Sequence, residues 1–201
     1  MNAPEHRDGR CPWCLGSALY MDYHDTEWGV PCRDERALFE MLNLEGAQAG
    51  LSWITILRRR ENYRRLFLGF DPVRLAAFED ADIERLVADP AIVRHRGKIE
   101  GVRRNARALL DMHERGETLV GLAWSFVEGV PLQGRPRAMA EVPSSTPLSV
   151  ALSRELKRRG FVFVGPTIAY AFMQAAGLVN DHVEGCPRQS AVAALGGPEG
   201  S

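Results

Sequence analysis

Periodicity limits the possible folds of this chain more than any other feature. Between Asp34 and Ala176 nearly every apolar segment repeats at helical spacing, and few alternate as strands do. Asp34 is placed to cap a helix over 35–42, with Ala37, Leu38, Met41 and Leu42 on one face. Asp71-Pro72 opens another over 72–78, with proline in its favoured first turn. Residues 80–88 follow as an amphipathic helix, and 94–110 as a longer one. A shorter apolar segment surrounds Trp124. Ser149 is read as the cap of a helix over 150–159 that Gly160 stops, and Pro166 or Thr167 starts the next, to about 176. The main strand-like run, Phe161 to Val164, is short and flanked by glycines. The expected fold class is therefore all-α, built on many short helices.

A chain of 201 residues with 45% hydrophobic content can bury one sizeable core. The domain is expected over 11–186, behind a polar, flexible extension at 1–10 and ahead of a small-residue, disordered tail at 187–201. Four prolines between Pro131 and Pro147 mark an exposed loop or hinge. The first ten residues lack the apolar core of a signal peptide, and no apolar run approaches the roughly 20 residues of a membrane span. A cytoplasmic protein with no membrane partner is expected, with a monomer as the default. The formal net charge is -1, so any nucleic-acid contact must come from local basic patches.

The stretch 44–57, LEGAQAGLSWITIL, is apolar yet carries Glu45 among small residues. Small residues let a backbone or flat ligand come close. A carboxylate in an apolar wall is costly unless it meets a positive charge or donors. The indole of Trp53 offers a face for a flat cationic ring. The composition suits a pocket for a planar, positively charged ligand; it also suits a core helix with Glu45 turned to water.

Four cysteines in such a chain argue for metal binding before disulfides. Cys11-Pro-Trp-Cys14 is half of a common zinc pattern, and His182 and Cys186 are one helical turn apart. Cys11 or Cys14, with His24, His182 and Cys186, would make a closed Cys2His2 set. Such a set staples the termini and leaves no open position for catalysis by metal-bound water. Free thiols and unrelated histidines fit the spacing too. Two Tyr and two Trp within 13–28 (Trp13, Tyr20, Tyr23 and Trp28) are more than a core plug needs.

Arg94 to Arg107 is the most basic segment, fitting either a solvated face or phosphate contacts. Between the helices at about 150–176, Gly165 and Thr167 begin a helix whose amides suit a phosphate oxygen, and Lys157 and Arg158 add charge just before the turn. An ordinary helix corner is the plainer account.

Four motifs, Tyr23-His24-Asp25-x-Glu27-Trp28-Gly29-Val30, Leu44-Glu45-Gly46-x-Gln48-Ala49-Gly50-Leu51-Ser52-Trp53, Arg94-His95-Arg96-Gly97-Lys98-Ile99 and Gly177-Leu178-Val179-Asn180-Asp181-His182, resemble one family in the same order. The chain is similar, from about Cys11 to Cys186, to DNA-3-methyladenine glycosylase I of the helix–hairpin–helix glycosylases. The resemblance implies a helix–hairpin–helix domain whose termini are stapled by structural zinc. It implies monofunctional hydrolysis of the N-glycosidic bond of 3-methyladenine in double-stranded alkylated DNA, with free 3-methyladenine as product. It makes Glu45 the pocket carboxylate that recognises the base. Tyr23 and Trp53 match pocket aromatics, and Tyr20 and Trp13 match ones nearby. It assigns Cys11, His24, His182 and Cys186 to zinc, favouring Cys11 over Cys14. Asp181 is the first acid after Gly165, but its place beside His182 sets a supporting role against a catalytic one. A zinc-stapled module that binds damage without cleaving it is the rival reading.

Overall fold

A computed structural model describes residues 9–196. Eleven α-helices occupy most of them: α1 (Ala18–Thr26), α2 (Glu35–Gln48), α3 (Trp53–Leu57), α4 (Arg60–Leu66), α5 (Pro72–Ala76), α6 (Asp80–Ala88), α7 (Arg96–Glu114), α8 (Leu119–Ser125), α9 (Pro147–Arg158), α10 (Pro166–Ala175) and α11 (Pro187–Leu195). Among the described residues the sole sheet is a two-residue parallel ladder, β1 (Leu132–Gln133) on β2 (Val179–Asn180). The all-α expectation holds. The strand-like run at 161–164 forms no ladder; it is the bend between α9 and α10.

Short-range chemistry sets most helix starts. Asp34 caps α2 by accepting from the Ala37 amide at 2.7 Å, and Asp71 caps α5 through the Val73 and Arg74 amides. The cap of α9 is Thr146 rather than Ser149. Ser149 sits inside the first turn, where its hydroxyl oxygen accepts from the Thr146 amide in return, so Pro147 falls at the first helical position. The helix around 94–110 begins at Arg96, because His95 is its cap and accepts from the Lys98 amide.

The central element is α2, which packs against α3, α7, α8 and α10. Its buried face carries Leu38, Phe39, Leu42, Leu44 and Glu45. Phe39, Phe67, Phe70, Phe161 and Phe172 fill the main core. A smaller core, built from Cys11, Tyr23, Trp28, Leu57, Ala175, Val183 and Cys186, joins the two chain ends.

The stretch 44–57 is divided. Helix α2 ends at Gln48, Gly50 turns the chain with φ +78°, and α3 restarts at Trp53. Lys98 secures the break, donating from Nζ to the carbonyls of Ala47 (2.9 Å) and Ala49 (2.6 Å), where a helix end is electronegative. The bend between α9 and α10 is tied to the same helix. Asn105 donates to the Asn43 side chain at 2.9 Å and accepts from the Val162 amide at 2.8 Å. Phe163 adopts φ +56°, and its ring lies in a groove that side chains at Gly46, Gly97 or Gly101 would narrow.

The tail departs from expectation. Residues 187–195 form α11, starting on Pro187, with Val192 fully buried. One apolar anchor and a proline start suffice once Cys186 fixes the preceding residue. Residues 197–201, and 1–8 of the proposed extension, lie outside the described residues. Arg10 is held to Asp25 by its guanidinium, with a shortest contact of 2.8 Å. The 131–147 loop is exposed along much of its length, but it supplies β1 and carries Met139 and Val142 to the cavity described next.

Candidate active site and metal centre

Helices α1, α2, α3 and α10 meet around a cavity of about 250 Å³. Its wall holds Trp13, Tyr20, Tyr23, Trp28 and Trp53, with Glu45 the carboxyl among them. Trp13 packs edge-on against Tyr20 and Trp28, each with ring centroids 5.0 Å away, and Tyr23 tilts against Trp53 at 5.5 Å. The five aromatics named from sequence motifs therefore share one wall. The buried indole N–H groups of Trp13 and Trp53 have no partner among the described residues, an uncommon state away from functional sites.

Glu45 is 5% exposed, so the alternative of a water-facing glutamate is removed. The nearest cations do not reach it. A smaller cavity of about 70 Å³ behind Glu45 contains Arg60 and Arg64. Arg60 is bidentate to Glu27 at 2.5 and 2.7 Å, and Arg64 bonds Glu40 at 2.8 Å. Burial pushes the Glu45 carboxyl up to about 8. Its ionised form is therefore disfavoured in the free protein, as burial without a counter-charge requires. A lone charge in an apolar wall is costly, so this carboxyl holds its proton more tightly than an exposed one. Burial and the neighbouring Glu45 also raise Tyr23.

Four wall residues had no clear signal in the sequence, Met139, Val142, Ala171 and Gln174, while Gln48 lay inside the 44–53 motif without a role of its own. The loop residues lie far from the aromatic motifs in sequence. Gln174 sits inside an apolar helix one turn after Tyr170, and that polar interruption was the available hint. At the rim, Gln48 donates to the Leu51 carbonyl, and Leu51 stands 39% exposed on the turn between α2 and α3.

Next to the cavity, Cys11, His24, His182 and Cys186 are all buried, with ligand atoms within 4.8 Å of one another. The Cys186 sulfur lies 3.5 Å from His24 Nε2 and 3.7 Å from His182 Nδ1. Cys11 Sγ is also 3.7 Å from His182 Nδ1, and the two imidazole nitrogens are 3.1 Å apart. A tetrahedral zinc, with bonds of about 2.0–2.3 Å, needs ligand separations of roughly 3.3–3.8 Å. The set can hold one metal ion. The remaining ring nitrogens are also fixed: His24 Nδ1 is 2.8 Å from Asp25 Oδ1, and His182 Nε2 is 3.0 Å from the Trp28 carbonyl. Cys14 stands outside this set. Its thiol donates to the Cys11 carbonyl at 3.1 Å.

The basic residues are largely committed within the protein. Arg96 grips Glu84 with two bonds of 2.6 Å, Arg103 bonds Asp80, and Lys98 secures α2. Arg158 is paired with Glu155, which tempers its expected part in phosphate contact. Lys157 and Thr167 are exposed on either side of the bend, and Gly165 caps α10. These four residues cluster at the bend, apart from the cavity wall.

The sequence matches the model of the methyladenine glycosylase family over residues 13–189. It is 57% identical over 177 residues to DNA-3-methyladenine glycosylase 1 of Escherichia coli (strain K12), covering 88% of this chain and 95% of that one. Its fold is similar to a crystal structure of 3-methyladenine DNA glycosylase I, with TM-score 0.87, 55% identity, and coverage of 89% and 98% of the two chains. A tyrosine-to-phenylalanine variant of 3-methyladenine DNA glycosylase I, solved in complex with 3-methyladenine, superposes with TM-score 0.86 at 35% identity, covering 90% and 97%. The chain belongs to the methyladenine glycosylase family of hydrolytic N-glycosylases.

Proposed function

We propose that the protein excises 3-methyladenine from alkylated double-stranded DNA as a monofunctional base-excision glycosylase, working as a cytoplasmic monomer. The observation that carries this reading is a buried carboxyl, Glu45, in the wall of an aromatic cavity and without a charged partner among the described residues. N3-methylation places a positive charge on the adenine. A flipped, cationic base gives Glu45 the counter-charge that the protein withholds, and the carboxyl then favours its ionised form. Trp53, Tyr23, Tyr20 and Trp13 stack or pack around the ring, and a cation–π preference of about 0.5–2 kcal/mol acts in the same direction. Neutral adenine gains neither term.

Cleavage needs little further help. The C–N bond breaks with its electron pair moving to the base, which leaves as neutral 3-methyladenine. Water adds to the sugar carbon and loses a proton. The neutral product no longer holds Glu45 ionised, which favours release. Among the described residues no lysine lines the cavity, which suits attack by water over attack by an amine.

Cys11, His24, His182 and Cys186 would hold Zn2+ in a closed set, where it supplies structure only. The bend from α9 to α10 is read as the hairpin of a helix–hairpin–helix. There the amides at Gly165 and Thr167 with Lys157 meet a phosphate, and Arg158 does so where Glu155 releases it. Leu51, exposed at the cavity rim, is suited to fill the gap left by the flipped nucleotide. The test is to incubate the protein with methylated duplex DNA and separate the released bases. Release of 3-methyladenine above the spontaneous rate is expected; tight binding without release would favour the non-cleaving damage-binding module instead.

A further inference from the structure

Asp181 belongs to the Asn180-Asp181-His182 segment, yet its carboxyl takes its hydrogen bonds from α10. It is 3% exposed. One of its oxygens, Oδ2, accepts from the Tyr170 hydroxyl at 2.6 Å and from Gln174 Nε2 at 2.8 Å. The other oxygen lies against the Gly134 backbone, so closely that a Cβ at 134 would collide with it. Gly134 itself is fixed by its amide, which donates to the Asn180 carbonyl at 3.0 Å. The carboxyl is thus caged by α10, by the segment after β1, and by its own strand.

The cage has a consequence on the other side of α10. Gln174 lines the aromatic cavity. A side-chain amide has one donating and one accepting end, and a carboxylate can only accept. Asp181 therefore claims the NH2 end. With Nε2 so engaged, the carbonyl Oε1 is the accepting end left for a ligand in the cavity that Gln174 lines, and the amide cannot turn without breaking its bond to Asp181.

We propose that Gln174 is a specificity-determining residue whose fixed carbonyl accepts a hydrogen bond from the exocyclic amino group of the bound base, with Asp181 as the positioning residue that sets its orientation. This rests on the reading of the cavity as a 3-methyladenine site. In a 3-methylated adenine nucleotide the exocyclic amine is the one N–H group on the base. It has two hydrogens, so Glu45 and Gln174 can each take one. A fixed carbonyl also repels a base that presents an oxygen there. Glu45 reads charge, whereas Gln174 reads the amino group against an oxo group.

The test compares two free bases, 3-methyladenine and 3-methylhypoxanthine, by titration calorimetry against wild type, Gln174→Met and Asp181→Asn. Wild type is expected to prefer the amino base. Gln174→Met should weaken 3-methyladenine binding about three- to tenfold, the worth of one hydrogen bond, and leave 3-methylhypoxanthine unchanged or tighter. Asp181→Asn should shrink the preference by freeing the amide to turn. An equal loss for both bases in Gln174→Met would reveal only a packing role and overturn the proposal, as would no loss at all. A wild-type preference retained in Asp181→Asn would overturn the positioning part. Wild type that binds neither base and releases none from methylated DNA would overturn the functional reading, and this inference with it. Wild type that excises 3-methyladenine, with unchanged selectivity in Gln174→Met, would sink this inference alone.

Discussion

Two buried polar sites lie side by side on the smaller core, and they differ in how their polar groups are satisfied. At the cysteine–histidine set, each group has partners within its own shell. The ligand atoms face one another, and the outer imidazole nitrogens meet Asp25 and the Trp28 carbonyl. In the aromatic cavity, among the described residues, Glu45 has no charged partner and the Trp53 indole N–H has none. A closed set stores its binding free energy in the fold, because nothing remains for a visitor to supply. An open one leaves a cost in the free protein that the right visitor can remove. The difference sets a group of side chains closed on itself apart from one left open to a visitor.

The largest expected effect breaks the closed site. His182→Ala should lower zinc content and folding stability together, by several kcal/mol or about 10 °C and more in melting temperature. Metal analysis beside calorimetry checks this; a metal-free variant of wild-type stability would leave the staple without support.

Glu45→Gln attacks the open site and should act in the opposite sense on the fold. Base release should fall about a hundredfold, the ~3 kcal/mol of a buried charge left without its partner, while binding to undamaged duplex stays near wild type. Stability should rise. The folded pKa of Glu45 is about 8 against an ordinary 4.5, so the folded form binds the proton more tightly than the unfolded chain. Wild type is therefore fully stable below about pH 4.5 with respect to this group and loses stability as pH rises through 8. The glutamine variant should melt like wild type at the acid end and higher than wild type at pH 8 to 9. Identical melting at both ends would mean that Glu45 is not burdened in the free protein.

Trp53→Leu sharpens the comparison within the cavity. It keeps an apolar wall and removes the π face, so preference for the cationic base should drop about two- to thirtyfold with little change in stability. The ratio of affinities for duplex carrying 3-methyladenine, where the base is cationic, and for undamaged duplex measures it. The smallest effect belongs to the bend. Lys157→Ala should weaken binding to any duplex modestly and reduce the salt dependence by about one ion. Arg158→Ala should do less, because Glu155 already holds that guanidinium. Equal salt slopes for wild type and Lys157→Ala would place this residue off the phosphate path.

Much of the architecture was legible because it is set by neighbours in sequence. Asp34 and Asp71 cap helices through amides two or three residues on, and such local chemistry can be read from a string. Where competing local signals existed, the reading slipped by a turn, as with Thr146 taking the cap expected of Ser149. Helix α11 was missed because its composition resembles a loose tail, and its one buried anchor, Val192, gains meaning only from what covers it.

The sequence by itself determined the helical class, the family and the roster of aromatic, cysteine and histidine side chains that the fold brings together. Those depend on residue type and spacing along the chain. Tertiary structure alone decided that Glu45 is buried with no charged partner among the described residues, that the Cys14 thiol turns to the Cys11 carbonyl outside the cysteine–histidine set, and that Asp181 holds the Gln174 amide. Each of these depends on distances between segments far apart in sequence and on the exclusion of water between them. Dielectric and proximity are properties of packing, and no single residue carries them.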